Sequence, residues 1–584
     1  MRLKEWQKLA LIIVVIFILV AIIEYAFFKS LEDTAPPISR DSFLEIVLGG
    51  EIPERTIEDP FREILEGKPH SLQDIIQSVR KAKRDEKIRG IILRTFPLLT
   101  SWATVEELRD VLQDFRSTGK PVYAYFETAS NLDYYLLSLA DSIFVAPVGV
   151  LIVNGLTSSP IFLKGLLKKI GVEADFVAYG KYKSAPEMFT RDRLSEPARE
   201  VTNALLDDHY QRFLETIARE RQMTPERLRQ LIDQGLFYPR QAQEVGLVDS
   251  TLYYNDFKEF LKTRFKKRLR FVSLKRYKAI PASKLGIVGK KKLAVIFGLG
   301  TIVVGTEGLF GQNGLITSDG MANSIRKAAD DKSIAAIILR IDSPGGSATA
   351  ADIIWREVIR ARKKKPVIVS VGGLAASGGY YISMAADTIV AHPSSLVGSI
   401  GVFAGKFALQ GLYQKLGIQK EELFRGRNAS FFSEYRKFTP EQRRLLRAYI
   451  MEVYRDFVAK AAQGRNKSFE EIDRVAQGRV WTGRQALDIG LVDILGDFAT
   501  AVAVAKQMAG IPEEEGVKLI FYPKIKSLME RLLGSSLQVL QGIPGHRLQW
   551  LRELEGPYRG LLFALNYFSS GEPLLLCPII PNIR

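Results

Sequence analysis

The feature that most constrains this chain is that it repeats itself. Ile88-Arg89-Gly90-Ile91-Ile92-Leu93-Arg94 recurs as Ile334-Ala335-Ala336-Ile337-Ile338-Leu339-Arg340, an offset of 340 − 94 = 246 positions. The same offset pairs Tyr134-Tyr135 with Tyr380-Tyr381, Ala140-Asp141-Ser142-Ile143 with Ala386-Asp387-Thr388-Ile389, and Pro147 with Pro393. Further on, Gly246-Leu247-Val248-Asp249 matches Gly490-Leu491-Val492-Asp493 at an offset of 244. Matches held at one offset over about 150 residues mark an internal duplication. Both copies must then accept one fold, and 584 residues exceed what a single core serves.

Within each copy, short apolar runs alternate with amphipathic stretches. In the second, Leu293–Phe297, Ile334–Ile341 and Val367–Val371 read as buried strands, with helices at Gly320–Asp330 and Thr349–Lys363. Alternation of this kind implies an α/β fold with parallel strands and crossover helices. The expected organisation is a basic N-terminus (1–8), an apolar segment (9–28), a first repeat (40–255), a basic linker (256–291), a second repeat (292–535) and a C-terminal tail (536–584). The last part of the tail, Leu561–Arg584, holds Leu574-Leu575-Leu576 among several prolines and is too short and broken to span a bilayer, which leaves packing on the body or contact with lipid.

The copies diverge where chemistry would occur. The second carries Gly372-Gly373-Leu374-Ala375-Ala376-Ser377-Gly378-Gly379, which places a serine in a tight turn between a strand and a helix. Subtracting 246 from Ser377 gives Asn131. The second copy also has Asp342-Ser343-Pro344-Gly345-Gly346-Ser347, where the first has Phe96-Pro97-Leu98-Leu99-Thr100-Ser101. A Gly-Gly turn after a strand is either a simple tight turn or a way to point N–H groups into a cleft, as an oxyanion hole needs. The reverse asymmetry occurs at Gly180-Lys181-Tyr182-Lys183-Ser184-Ala185, whose lysine corresponds to Ala429. A serine needs a base to attack a carbonyl. None of the four histidines has an evident partner motif, and His392, before Pro393, reads as structural. A buried lysine can serve if desolvation keeps it neutral.

The termini and the charge point to a membrane. Arg2, Lys4 and Lys8 precede the unbroken apolar run Leu9–Ile23, and Tyr25–Phe28 extend it to roughly one bilayer core. Basic residues before the run put the N-terminus in the cytoplasm and the bulk of the chain outside it. No small-x-small site follows, so an uncleaved anchor is expected rather than a signal peptide. The net charge of +17 fits an acidic surface such as anionic lipid. A nucleic-acid binder has only this charge in its favour. Cys577 is the only cysteine, so the chain has no internal disulfide and no cysteine-rich metal site.

Tyr182-Lys183-Ser184-Ala185, Asp342-Ser343-Pro344-Gly345-Gly346 and Ala376-Ser377-Gly378-Gly379, taken with the duplication and the anchor, resemble the long form of the signal peptide peptidase A family. The resemblance extends from the anchor to about residue 535. It implies tandem Clp protease/crotonase-like domains built from repeated β-β-α units. It also implies a membrane-anchored bacterial serine protease, with Ser377 as nucleophile, Lys183 as general base, and Gly378, Gly345 and Gly346 as oxyanion donors. Ser399, in Gly398-Ser399-Ile400-Gly401, matches a serine that orients the lysine. The implied substrates are signal-peptide remnants and other apolar peptides, and the implied assembly is a homotetramer. No cofactor, metal or nucleic acid is implied, and the absence of a Walker-type loop makes hydrolysis independent of ATP. Whether serine and lysine meet within one chain or between neighbours is left open. The competing readings are a crotonase-type acyl-CoA enzyme and an inactive membrane scaffold of the same shape.

Overall fold

The computed structural model describes residues 38–55, 70–265, 269–280, 289–306, 314–523 and 573–577. The apolar segment 9–28 therefore lies outside the described residues. Among those described, no helix is long and apolar enough to cross a membrane.

Each repeat builds a sheet whose centre is parallel. In the first, the spatial order is Gly235–Phe237, Ser142–Val153, Val122–Ala129, Ile88–Leu98, Ser42–Gly50 and Arg270–Ser273, with Ser250–Thr251 beside Ser142–Val153. In the second it is Val480–Thr482, Leu396–Gly398, Val367–Ala376, Ile334–Ser343, Lys291–Leu299 and Val517–Tyr522, with Thr388–Ala391 and Ile494–Leu495 off that path. The central strands are apolar on both sides, as strands covered by helices must be. Ile91, Ile92 and Leu93 and their counterparts Ile337, Ile338 and Leu339 are fully buried.

The duplication extends to individual hydrogen bonds. Helices Leu72–Arg84 and Trp102–Arg116 recur 246 positions on as Ser318–Asp330 and Ala348–Arg362. Ser101 and Ser347 cap the second helix of each copy through a bond 3.1 Å long. The Tyr134 hydroxyl donates to the Leu247 carbonyl at 2.6 Å, and Tyr380 donates to Leu491 at 2.9 Å. The Asp249 and Asp493 carboxylates each accept from the second residue of the matched strand, Ile143 N–H and Ile389 N–H, at 2.7 Å.

Of the basic stretch expected to be a linker, the described residues 256–265 and 269–280 belong to the first repeat, whereas Lys291 opens a strand of the second. Arg270–Ser273 pairs in parallel with Ser42–Glu45 and completes the first sheet, while Leu274 and Tyr277 are buried. The charges misled because they lie on the outer side of elements whose inner side is apolar: Phe257 and Leu261 are buried while Lys258 and Glu259 are not.

Three features weld the copies together. Arg340 of the second repeat is buried and donates to Glu54 at 2.6 Å and Glu107 at 2.5 Å in the first. His392 of the second repeat lies 2.5 Å from Glu106 and 2.8 Å from Asp110 in the first. Burial alone would lower the His392 pKa, but these carboxylates raise it to about 10, so the ring is a cation and a structural one. Buried pairs of this kind add little net stability when intact, and losing one partner is costly. The third feature is a shared sheet of six strands, ordered Leu315–Thr317, Thr301–Val303, Gly345–Ser347, Leu574–Leu576, Val402–Ala408 and Glu173–Tyr179. Its last strand comes from the first repeat and runs antiparallel to Val402–Ala408 over seven residues, from Val402 opposite Tyr179 to Ala408 opposite Glu173.

Candidate functional site

That shared strand decides where Lys183 goes. It ends at Tyr179, and Gly180 turns the chain so that residues 181–184 enter the second repeat. Tyr182 N–H donates to the Gln477 carbonyl at 2.7 Å and Lys183 N–H to the Gly180 carbonyl at 3.1 Å. Gly478, at φ 81°, packs so closely that a Cβ there would fall 2.5 Å from the Lys183 nitrogen. A Cβ on Gly401 would fall 3.1 Å from Lys183 Cδ. The lysine backbone and stem are thus clamped before its amine makes any contact.

Ser377 arrives from the other side. The strand Val367–Ala376 ends beside Gly398, and Ser377 N–H donates to the Gly398 carbonyl at 2.7 Å. The Ser377 carbonyl then accepts from Tyr381 N–H at 2.8 Å, which opens the helix Gly378–Ser383. Between these two anchors Ser377 takes φ 56° and ψ −114°. A side chain held there carries strain of about 1–3 kcal/mol, sustained only because the surroundings over-determine it.

The Lys183 amine lies 2.7 Å from Ser377 Oγ, 3.1 Å from Ser399 Oγ and 3.2 Å from the Ser399 carbonyl. Ser377 and Ser399 are fully buried and Lys183 is 4% exposed. Ser399 itself sits at φ 51°, fixed by its N–H donating to the Arg479 carbonyl at 2.7 Å. Burial pulls the lysine pKa down to about 7, and only the neighbouring Cys577 acts the other way. Near neutrality much of the amine is therefore uncharged. The 2.7 Å contact is donated by the ammonium in one protonation state and by the serine hydroxyl in the other.

The glycine turn closes over the same point. Ser343 Oγ accepts from Gly345 N–H at 3.1 Å and donates to the Gly300 carbonyl at 2.6 Å, which fixes the turn. Gly345 takes φ 100°. A Cβ on Gly378 would lie 3.1 Å from both Gly345 Cα and Gly346 N, so the turn and the residue after Ser377 are in direct contact. Among the described residues, no group of His, Cys, Asp or Glu could hold a metal ion.

Peptidase family S49 matches residues 114–267 and again 359–512, one block in each repeat. The chain belongs to this family. It is 34% identical to "Serine protease SPPA, chloroplastic" of Arabidopsis thaliana over 94% of this chain and 81% of that one. It is 35% identical to "Protease 4" of Salmonella typhi over 76% of this chain and 73% of that one. A shorter match, 33% identical over 30% of this chain and 50% of the other, is to "Putative signal peptide peptidase SppA" of Enterococcus faecium. As a member of S49 the protein is a serine protease, and the family matches it twice.

The structure thus brings together Ser377, Lys183, Ser399, Gly345, Gly346 and Gly378, and it does so within one chain. Sequence reading missed the loop Gln477–Arg479, which receives both the lysine turn and Ser399. The local signal was the glycine at 478, but nothing near it says what it packs against. Of the two expectations for the tail, packing on the body holds for Leu574–Leu576, but its role as a strand of the shared sheet, antiparallel to Gly345–Ser347, was not foreseen.

Proposed function

We propose that the protein is an ATP-independent Ser-Lys endopeptidase that degrades cleaved signal peptides and other apolar peptides at a membrane. The observation that carries this reading is the buried 2.7 Å contact between Lys183 Nζ and Ser377 Oγ, with no carboxylate among the described residues acting to hold the lysine charged. In the neutral state Lys183 accepts the Ser377 proton as Oγ attacks the scissile carbonyl. It then returns that proton to the leaving amine, and a water repeats the cycle on the acyl-enzyme. Ser399 holds the amine on the serine through its hydroxyl and carbonyl. The developing oxyanion is stabilised by the Gly378 and Gly346 amides. The Gly345 amide, expected from sequence in the same role, is instead donated to Ser343 Oγ, and its conformation aims the turn.

The apolar segment 9–28 is the anchor, with the N-terminus cytoplasmic and both repeats on the outer side of a bacterial inner membrane. Four chains assemble around a shared cavity on domains of the Clp protease/crotonase type. The name of the Enterococcus relative and the apolar lining around Phe403 and Phe407 support apolar peptides as substrates. The test is hydrolysis of a fluorogenic apolar peptide, with chelator and without ATP, by the parent, Ser377→Ala and Lys183→Ala. Cleavage by the parent alone supports the reading, whereas cleavage by Ser377→Ala at the parent rate refutes it.

A further inference from the structure

The C-terminal strand occupies the place where a substrate would bind. It runs antiparallel to the glycine turn, with Leu576 opposite Gly345, Leu575 opposite Gly346 and Leu574 opposite Ser347. On its other side Leu574 pairs with Phe403. Both neighbours would otherwise be open strand edges, the surfaces to which extended peptides add. Ala348 N–H donates to the Pro573 carbonyl at 3.2 Å, and Cys577 N–H to the Pro344 carbonyl at 2.6 Å. Hydrogen-bonded pairs alternate along an antiparallel ladder, so Gly346 and Leu575, midway between these two, form the next such pair. The Leu575 carbonyl therefore faces the Gly346 amide. The same oxygen lies 1.8 Å from where a Cβ on Gly345 would fall and 3.2 Å from one on Gly378. This is the position at which the proposed mechanism puts the scissile carbonyl.

The side chains sort by the period of a strand. Leu574 and Leu576 enter the apolar cluster of Phe403 and Phe407, with Leu574 fully buried. Leu575 and Cys577 point to the other face. Leu575 joins the second core, and the Cys577 thiol hydrogen-bonds with Ser399 beside Lys183. Burial pushes that thiol up to about 11, so it stays neutral and leaves the lysine in a dry setting.

We propose that Pro573–Cys577 is a built-in occupant of the substrate groove, seated as a substrate strand and competing with external peptide. The inference rests on the catalytic reading for the identity of the groove, but its test also has a readout that needs no catalysis. The test uses the full chain with Leu574→Asp and Leu575→Asp combined, since two carboxylates do not enter these apolar pockets. A fluorescein-labelled synthetic peptide with the sequence from Gly571 to Arg584 serves as the probe, followed by anisotropy. Hydrolysis of a fluorogenic apolar peptide is measured in parallel. The expected result is that the variant binds the probe at least tenfold tighter than the parent, with KM lowered by a similar factor and kcat close to the parent value. Equal probe binding and equal KM in the two proteins would overturn it.

If neither protein hydrolyses peptide but the variant alone binds the probe, the tail proposal stands and the catalytic reading falls. If both hydrolyse and bind alike, the reverse holds. Should the double variant lose its native circular dichroism, Leu575→Ser alone gives the same comparison. A smaller shift in the same direction supports the proposal, and no shift refutes it.

Discussion

At one equivalent point in each repeat the chain turns from a buried strand into a short helix, and the two turns have opposite characters. In the first repeat the turn residue is Asn131. Its amide donates to Asn154 Oδ1 and the Gly155 carbonyl, both at 3.0 Å, and accepts from Asn154 N–H at 3.0 Å, while Ser130 and Asp133 form a capping box in front of it. Both sides of the side-chain amide are used, and Asn131 is not among the residues at positive φ. In the second repeat the same turn holds Ser377 at φ 56°, its hydroxyl directed at a buried lysine that came from the other copy. The scaffold is shared down to Tyr134 and Tyr380. What differs is that one turn is satisfied and relaxed, and the other is strained and paired with a group whose pKa lies near neutrality. Strain and a perturbed pKa sit together at the turn where we propose the reaction, and neither accompanies the equivalent turn of the first repeat.

This contrast can be broken or sharpened by experiment. The largest expected effect is from Ser377→Ala, which should lower kcat/KM on an apolar peptide by about 10⁴-fold or more. Asn131→Ser, which gives the first repeat a serine without strain or lysine, should add no activity to that variant. Rescue of cleavage by the second serine would dissolve the distinction between the turns. Next is Lys183→Ala, with a loss on the order of 10³-fold or more. In the parent, the acid limb of kcat/KM against pH should fall away below about 7, because the base acts only when neutral. A limb near the usual carboxylate range would point to a different base.

Lys183→Met addresses the energetic side. The folded lysine titrates at about 7, well below an unfolded one near 10.4. Between those values the unfolded chain binds a proton that the folded chain lacks, so this group destabilises the fold increasingly as pH drops from about 10 to about 7. The methionine variant should therefore be more stable than the parent at pH 7, by on the order of a few kcal/mol, with the gain shrinking toward pH 10. Denaturant titrations at the two pH values check both size and sign.

Asn131→Ala should cost about 1–3 kcal/mol of stability, by leaving buried partners unpaired, with kcat/KM unchanged. The smallest effect is from Ser399→Ala. Losing one hydrogen bond to the amine is worth roughly 1.5 kcal/mol, or about tenfold in kcat. Because that oxygen accepts from the charged amine, its loss should move the acid limb to lower pH. An unchanged profile would leave Ser399 a purely structural role.

Much of this was legible in the sequence because duplication supplies its own control. Ile334–Arg340 could be recognised as a buried strand because Ile88–Arg94 says the same, and Ser377 and Lys183 stood out as residues one copy has and the other lacks. Two things stayed hidden because they depend on contacts between segments far apart in the chain. The pairing of Glu173–Tyr179 with Val402–Ala408 carries Lys183 across the repeat boundary, yet neither segment encodes its partner. Leu574–Leu576 reads as a short apolar run whichever surface it covers. Residues 256–265 and 269–280 were read as linker for a related reason: their charges dominate the composition, while Phe257, Leu261 and Tyr277, which fix them to the first repeat, are spaced among them.

The central claim is that one serine, in the second repeat, is activated by one lysine from the first. The most direct measurement is to label the protein with a peptidyl fluorophosphonate and locate the adduct by tandem mass spectrometry, in the parent and in Lys183→Ala. The account predicts a single modified residue, Ser377, with labelling largely lost in the lysine variant. An adduct on any other residue, or labelling of Ser377 that proceeds equally well without Lys183, would contradict it.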